Sequence, residues 1–131
     1  MNNQTVNDDE AEFEPLNGFE QEYLIQKEFP FVIKKKSNNR IIKEGINNFG
    51  YPRVSLSGKS YLKHVIVAKQ FLDNPNNLPE VDHISRDRTD YHLSNLRYVS
   101  RSLNQQNKTS YKGVKVIYVD DIPDSSTIID F

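Results

Sequence analysis

Apolar and polar positions along the chain fall into short runs separated by turn-forming residues. Residues 1–12 are Asn, Asp and Glu with almost nothing apolar, which predicts a disordered acidic leader. Over residues 13–24, Phe13, Leu16, Phe19, Tyr23 and Leu24 gather around Pro15 and Gly18, predicting a short irregular element that docks. Phe29-Pro-Phe-Val-Ile-Lys reads as a strand, Ser37-Asn-Asn as a turn and Arg40-Ile-Ile-Lys as the return strand. Residues 50–56 alternate, with Val54 and Leu56 on one face. Ser57-Gly58 then supplies a turn, and Ser60-Tyr-Leu begins the partner strand.

At His64 the period changes. Val65, Ala68 and Phe71 recur at helical spacing with Leu72 adjacent, which predicts a short amphipathic helix over residues 64–71. Asp73-Asn-Pro-Asn-Asn-Leu-Pro is a loop. Residues 80–84 form a short strand, residues 85–90 a polar loop, and Leu96-Arg-Tyr-Val a second strand. Ser100 is a candidate N-cap for a polar helix over residues 101–108, and residues 111–118 read as a further strand. The fold class is therefore α+β.

Charge changes the picture. The 131 residues carry a formal net charge of −1, but it is unevenly spread. Residues 1–33 hold eight acids and one base, residues 34–115 hold sixteen bases and six acids, and residues 116–131 hold four Asp and no base. A basic middle between acidic ends points to a polyanionic partner. The absence of cysteine excludes disulfides, thiolate zinc sites and cysteine nucleophiles, so any metal must take O and N ligands. No apolar run approaches membrane-spanning length and no signal peptide is evident, so the expectation is a soluble, intracellular protein, cytoplasmic or nuclear.

Candidate chemistry concentrates at residues 80–107, where a strand, a loop, a strand and a short helix deliver Asp82, His83, Asn95 and Asn104. A hairpin crossed by a helix can bring all four to one concave spot. Asp82 and Asn104 offer hard oxygen ligands suited to Mg²⁺ or Mn²⁺, with no zinc expected. His83 is the natural general base for a water attacking phosphorus. Asn95 can orient the imidazole or the loop.

These residues resemble the HNH, or ββα-metal, endonucleases, in the phage and intron homing-endonuclease subgroup whose last motif residue is Asn. The resemblance runs over residues 60–107, through Lys63-His64-Val-Ile-Val-Ala-Lys-Gln-Phe-Leu-Asp-Asn-Pro, Pro79-Glu-Val-Asp-His-Ile, Asn95-Leu-Arg-Tyr-Val-Ser and Arg101-Ser-Leu-Asn104-Gln. A weaker echo at residues 15–36 matches the small β module that often precedes the nuclease. The resemblance implies His83 as base, Asp82 and Asn104 as metal ligands, Asn95 as the positioning residue, and cleavage of DNA. Three positions depart from the pattern: the loop is Ser85-Arg-Asp-Arg-Thr-Asp without Gly, Val65 stands where Arg is usual, and the upstream module lacks its Trp.

The expected organisation is a leader at 1–12, a β module at 13–58, the ββα-metal domain at 59–110 and a strand with an acidic tail at 111–131. Lys34, Lys35, Lys36, Arg40 and Lys43 form an expected basic hairpin tip for phosphate contact. Arg53, Lys59, Lys63, Lys69, Arg86, Arg88, Arg97 and Arg101 form the expected DNA clamp. His64 reads as a capping or packing residue, and His92 as a less favoured metal or phosphate contact. The acidic ends read as solubilising tails, with DNA mimicry as the other reading. A DNA-binding regulatory protein that keeps the fold without turnover is the competing function, and a protein-interaction module a third. Monomer and homodimer both stay open.

Overall fold

A computed structural model describes residues 11–102 and 122–123 of the chain. They divide between two compact units, residues 11–42 and residues 43–102 with 122–123. The expected boundary at 58/59 is a different cut, which runs through the turn of a hairpin in the second unit. The expected strand at residues 111–118 lies outside the described residues.

The first unit is a three-stranded antiparallel sheet in the order β1 (Phe13–Pro15), β2 (Tyr23–Gln26), β3 (Ile33–Lys35). Strand β2 alternates buried and half-buried positions, with Tyr23 and Ile25 facing a small core completed by Leu16, Phe31 and Ile33. Two expectations change here. The stretch read as irregular supplies β1 and the start of β2. The strand expected from Phe29 begins only at Ile33, because Phe31 adopts φ +56°, which an extended run cannot accommodate. The return strand is reduced to a single bridge, Lys34 to Ile41, beside a turn in which Asn39 takes φ +60° and Asn38 Oδ1 accepts from the Arg40 N–H at 2.9 Å.

The second unit begins with β4 (Gly45–Ile46), β5 (Pro52–Leu56) and β6 (Lys59–Leu62), an antiparallel sheet in that order. Leu56 pairs with Lys59 across Ser57 and Gly58, whose φ values of +52° and +85° are the left-handed pair of a tight two-residue hairpin turn. Strand β4 was not foreseen; at two residues it carries too little pattern to read.

Helix α1 (Lys63–Phe71) follows directly and packs against β5, β6 and the hairpin of β7 (Glu80–His83) and β8 (Leu96–Val99). The expected one-sided stripe is not what forms. All six residues from Lys63 to Ala68 are buried, while Phe71 is half-buried, because sheet and hairpin both press on the first two turns. Val65, Val67, Val81, Leu96 and Val99 are core. Strands β7 and β8 pair with Glu80 opposite Val99, Asp82 opposite Arg97 and His83 opposite Leu96. A loop and a 3₁₀ turn (Leu93–Asn95) join them, and residues 101 and 102 are helical, as expected for the start of the next helix. No helix among the described residues is long and apolar enough to cross a membrane.

Candidate active site

His83 is the last residue of β7, and its ring is nearly fully buried, at 6% exposure. Its ring centroid lies 4.2 Å from that of His64, on the first turn of α1, and 5.8 Å from that of Tyr51, which precedes β5. Tyr51 and His64 stack at 5.4 Å with 25° between their planes. The outer face of Tyr51 carries the Arg88 guanidinium, 5.4 Å from the ring centroid, and Arg88 Nη1 donates to the Phe49 carbonyl at 2.7 Å. His64 therefore packs, as the sequence suggested, while Tyr51 was missed: one aromatic before a strand carries no signal of a histidine thirty-two positions away that it will touch.

Within this packing, Nε2 of His83 is buried and has no hydrogen-bond partner among the described residues. Burial pushes the imidazole below its ordinary pKa of 6.5; Asp82, Asp87 and Asp90 push the other way, and Arg88 adds to the lowering. The ring is thus held neutral with a bare nitrogen. A buried polar atom left unsatisfied is costly in a folded protein and needs a functional or structural account.

Asn95 fastens the loop that follows His83. Its side-chain Oδ1 accepts from the Ser85 N–H at 2.9 Å, its Nδ2 donates to the Asp90 carbonyl at 2.9 Å, and its backbone carbonyl accepts from the Ile84 N–H at 2.8 Å. Ser85 Oγ accepts from the Asp87 N–H, and Asp87 Oδ1 accepts from both the N–H and the hydroxyl of Thr89, which lowers the Asp87 pKa. Arg86 takes φ +71° at the bend and its N–H donates to the His83 carbonyl, so the glycine missing from this loop is replaced by an arginine in the left-handed region. Of the two roles open to Asn95, the structure displays the loop-holding one.

Asp82 and His83 are successive strand positions, so their side chains leave opposite faces of the hairpin and bracket its end. Asp82 Oδ2 accepts from Arg97 Nε at 3.1 Å and Nη2 at 3.0 Å. Asn104 lies outside the described residues. Among the described residues no three His, Cys, Asp or Glu side chains are placed to hold a metal ion. One carboxylate with an amide oxygen still fits a small hard cation, which commonly keeps several waters and takes only one or two carboxylates. The donor chemistry of Asp82 and Asn104 is therefore compatible with Mg²⁺ or Mn²⁺, and holds nothing soft enough to prefer other metals.

The basic residues divide. Lys35, Lys36, Arg40, Lys43, Lys59, Arg86, Arg97 and Arg101 are exposed, and Arg53 and Arg88 half-buried. Lys34 lies with its ammonium 4.1 Å from the Phe13 ring centroid. Lys63 is the correction. It is fully buried, its Nζ is paired with Glu44, and it sits 5.1 Å from the centroid of Tyr91, whose hydroxyl donates to Glu44 Oε1 at 2.9 Å. Burial lowers the Lys63 pKa against the pull of Glu44 and raises that of Tyr91. No phosphate reaches such an ammonium. Lys69 is half-buried and donates to the Ile122 carbonyl at 2.7 Å. His92 is exposed and bonded through Nδ1 to Asp90 Oδ1 at 2.7 Å.

Residues 61–106, which span both strands of this site, match the family model for HNH endonucleases. Over this segment the chain is similar to the HNH endonucleases. An uncharacterised HNH endonuclease of Acanthamoeba polyphaga mimivirus is 31% identical over 106 residues, covering 75% of this chain and 32% of the viral protein. The HNH homing endonuclease I-HmuI, in a structure describing its DNA binding and cleavage, superposes with a TM-score of 0.62 at 25% identity, covering 80% of this chain and 62% of that one. The chain thus spans about a third of the viral HNH protein and under two thirds of the homing endonuclease chain.

Proposed function

We propose that the chain is a metal-dependent DNA endonuclease that hydrolyses a phosphodiester bond with His83 as general base. The observation that carries this reading is the bare Nε2 of His83, buried, neutral and unpartnered at a strand end within the HNH-matching segment. A neutral imidazole nitrogen free of hydrogen bonds can take the proton of an attacking water. The aromatic packing of Tyr51 and His64 holds the ring, and Asn95 holds the loop beside it. Asp82 and Asn104 would hold Mg²⁺ or Mn²⁺. Such a cation, when bound, stabilises negative charge on the scissile phosphate and the departing oxygen. Arg86, Arg88 and Arg101 would bind backbone, and Lys35, Lys36, Arg40, Lys43, Arg53 and Lys59 would contact further phosphates. The likeness to I-HmuI supports DNA as the substrate.

The test is nicking of supercoiled plasmid by the full chain in Mg²⁺ or Mn²⁺ against EDTA. Nicked product appears only with metal, since one site per chain cuts one strand. Intact plasmid with a salt-sensitive gel shift would identify instead a DNA binder without turnover. Intact plasmid with no shift would remove DNA as the partner.

A further inference from the structure

Taking most of a carboxylate out of water is unfavourable unless positive charge or hydrogen bonds compensate. The Asp82 side chain is 10% exposed, and Arg97 supplies both through two donors on Oδ2. The antiparallel register sets the two residues directly opposite each other, so the pair follows from the hairpin itself. Arg97 is held differently from its partner. Its side chain is 46% exposed, so the guanidinium can leave Asp82 for another anion without opening the core. A 320 Å³ groove lined by Arg97, Tyr98, Leu96 and the loop from Leu72 to Leu78, Asp73 included, opens beside the guanidinium.

A divalent cation and a guanidinium claim the same carboxylate, and their charges repel at that separation. We infer that Arg97 is a stand-in cation: it neutralises Asp82 before metal arrives, weakens metal binding in the absence of DNA, and transfers to a phosphate of the bound strand when metal takes Asp82. The inference rests on Asp82 being a metal ligand. A guanidinium released beside the site presents a planar donor fork matched to phosphate oxygens. Linkage then requires reciprocity: the phosphate that draws Arg97 away raises metal affinity, and metal raises phosphate affinity by the same factor. Metal loading is in this way coupled to substrate, while the unloaded protein keeps its enclosed carboxylate neutralised.

The experiment is titration of Mn²⁺ into the full chain without DNA, with free Mn²⁺ followed by electron paramagnetic resonance. Arg97→Gln binds Mn²⁺ about two- to fivefold more tightly than wild type, the range expected for a partly exposed ion pair. Arg97→Lys, which keeps the charge but loses the two-donor fork, falls between wild type and Arg97→Gln. In EDTA Arg97→Gln melts below wild type, and Mn²⁺ raises its melting temperature by more. Equal or weaker Mn²⁺ binding by Arg97→Gln, with binding lost in Asp82→Asn, would overturn the stand-in role and leave the metal site standing. Unaltered Mn²⁺ binding in Asp82→Asn would remove Asp82 as a ligand, and the inference with it.

Discussion

At the scale of single residues, His83 is defined by what surrounds its ring. Burial disfavours the imidazolium, so the proton is lost below the ordinary value of 6.5. The base is active once neutral. Cleavage therefore rises with pH through a midpoint below 6.5; single-turnover rates measured from pH 4.5 to 8 check this, and a midpoint above 6.5 would contradict it. Asn95 makes a different demand. Asn95→Ala removes an acceptor for the Ser85 N–H and a donor for the Asp90 carbonyl, at a cost of ~1–3 kcal/mol in urea unfolding. Asn95→Asp keeps the acceptor but sets a carboxylate oxygen against the Asp90 carbonyl in a buried site, so it too unfolds at lower urea than wild type. The residue types and spacings single out Asp82, His83 and Asn95 as candidates. Tyr51 and the hold of Arg97 on Asp82 were not legible, since both depend on which positions meet across the fold.

At the scale of elements, short-range chemistry was the readable part. Ser57-Gly58 between alternating runs announced the β5–β6 hairpin, and the structure supplies the two positive φ values such a turn needs. A Cβ on Gly58 would meet nothing within 4 Å, so the cost of Gly58→Val is conformational alone. That cost is ~1–2 kcal/mol, read as a lowered urea midpoint with unchanged slope. Helix α1 was legible in extent and not in burial: its pattern suggested one inner face, yet Lys63 and His64 are also enclosed. A lysine reads as surface until its partner is known, and Glu44 lies nineteen positions away. The pairing of Lys63, Glu44 and Tyr91 ties the start of α1 to the end of the loop that follows β7. Glu44→Ala leaves a buried ammonium without its counter-ion and should cost more stability than Lys63→Met, which removes the charge and keeps most of the volume. The reverse order in thermal melts would show that the pair is not what holds the loop.

At the scale of the whole molecule, a net charge of −1 conceals sixteen bases within residues 34–115. The distribution was visible in the sequence; which charges are available was not. DNA affinity should fall steeply with salt, each phosphate contact contributing about 0.9 to the slope of log K against log salt. Arg40→Gln or Arg86→Gln lowers that slope by about one, whereas Lys63→Met leaves it unchanged, because Lys63 is enclosed and paired. Gel shifts at four or five salt concentrations separate the two classes. His83 is the proposed base, and the most direct test of that role compares wild type with His83→Ala at saturating protein and matched DNA occupancy, in Mg²⁺, following plasmid nicking in a single turnover. Wild type nicks, and His83→Ala binds equally well but cuts about 10²–10⁴-fold more slowly, the loss expected for a general base. Equal rates for the two proteins would contradict the assignment of His83.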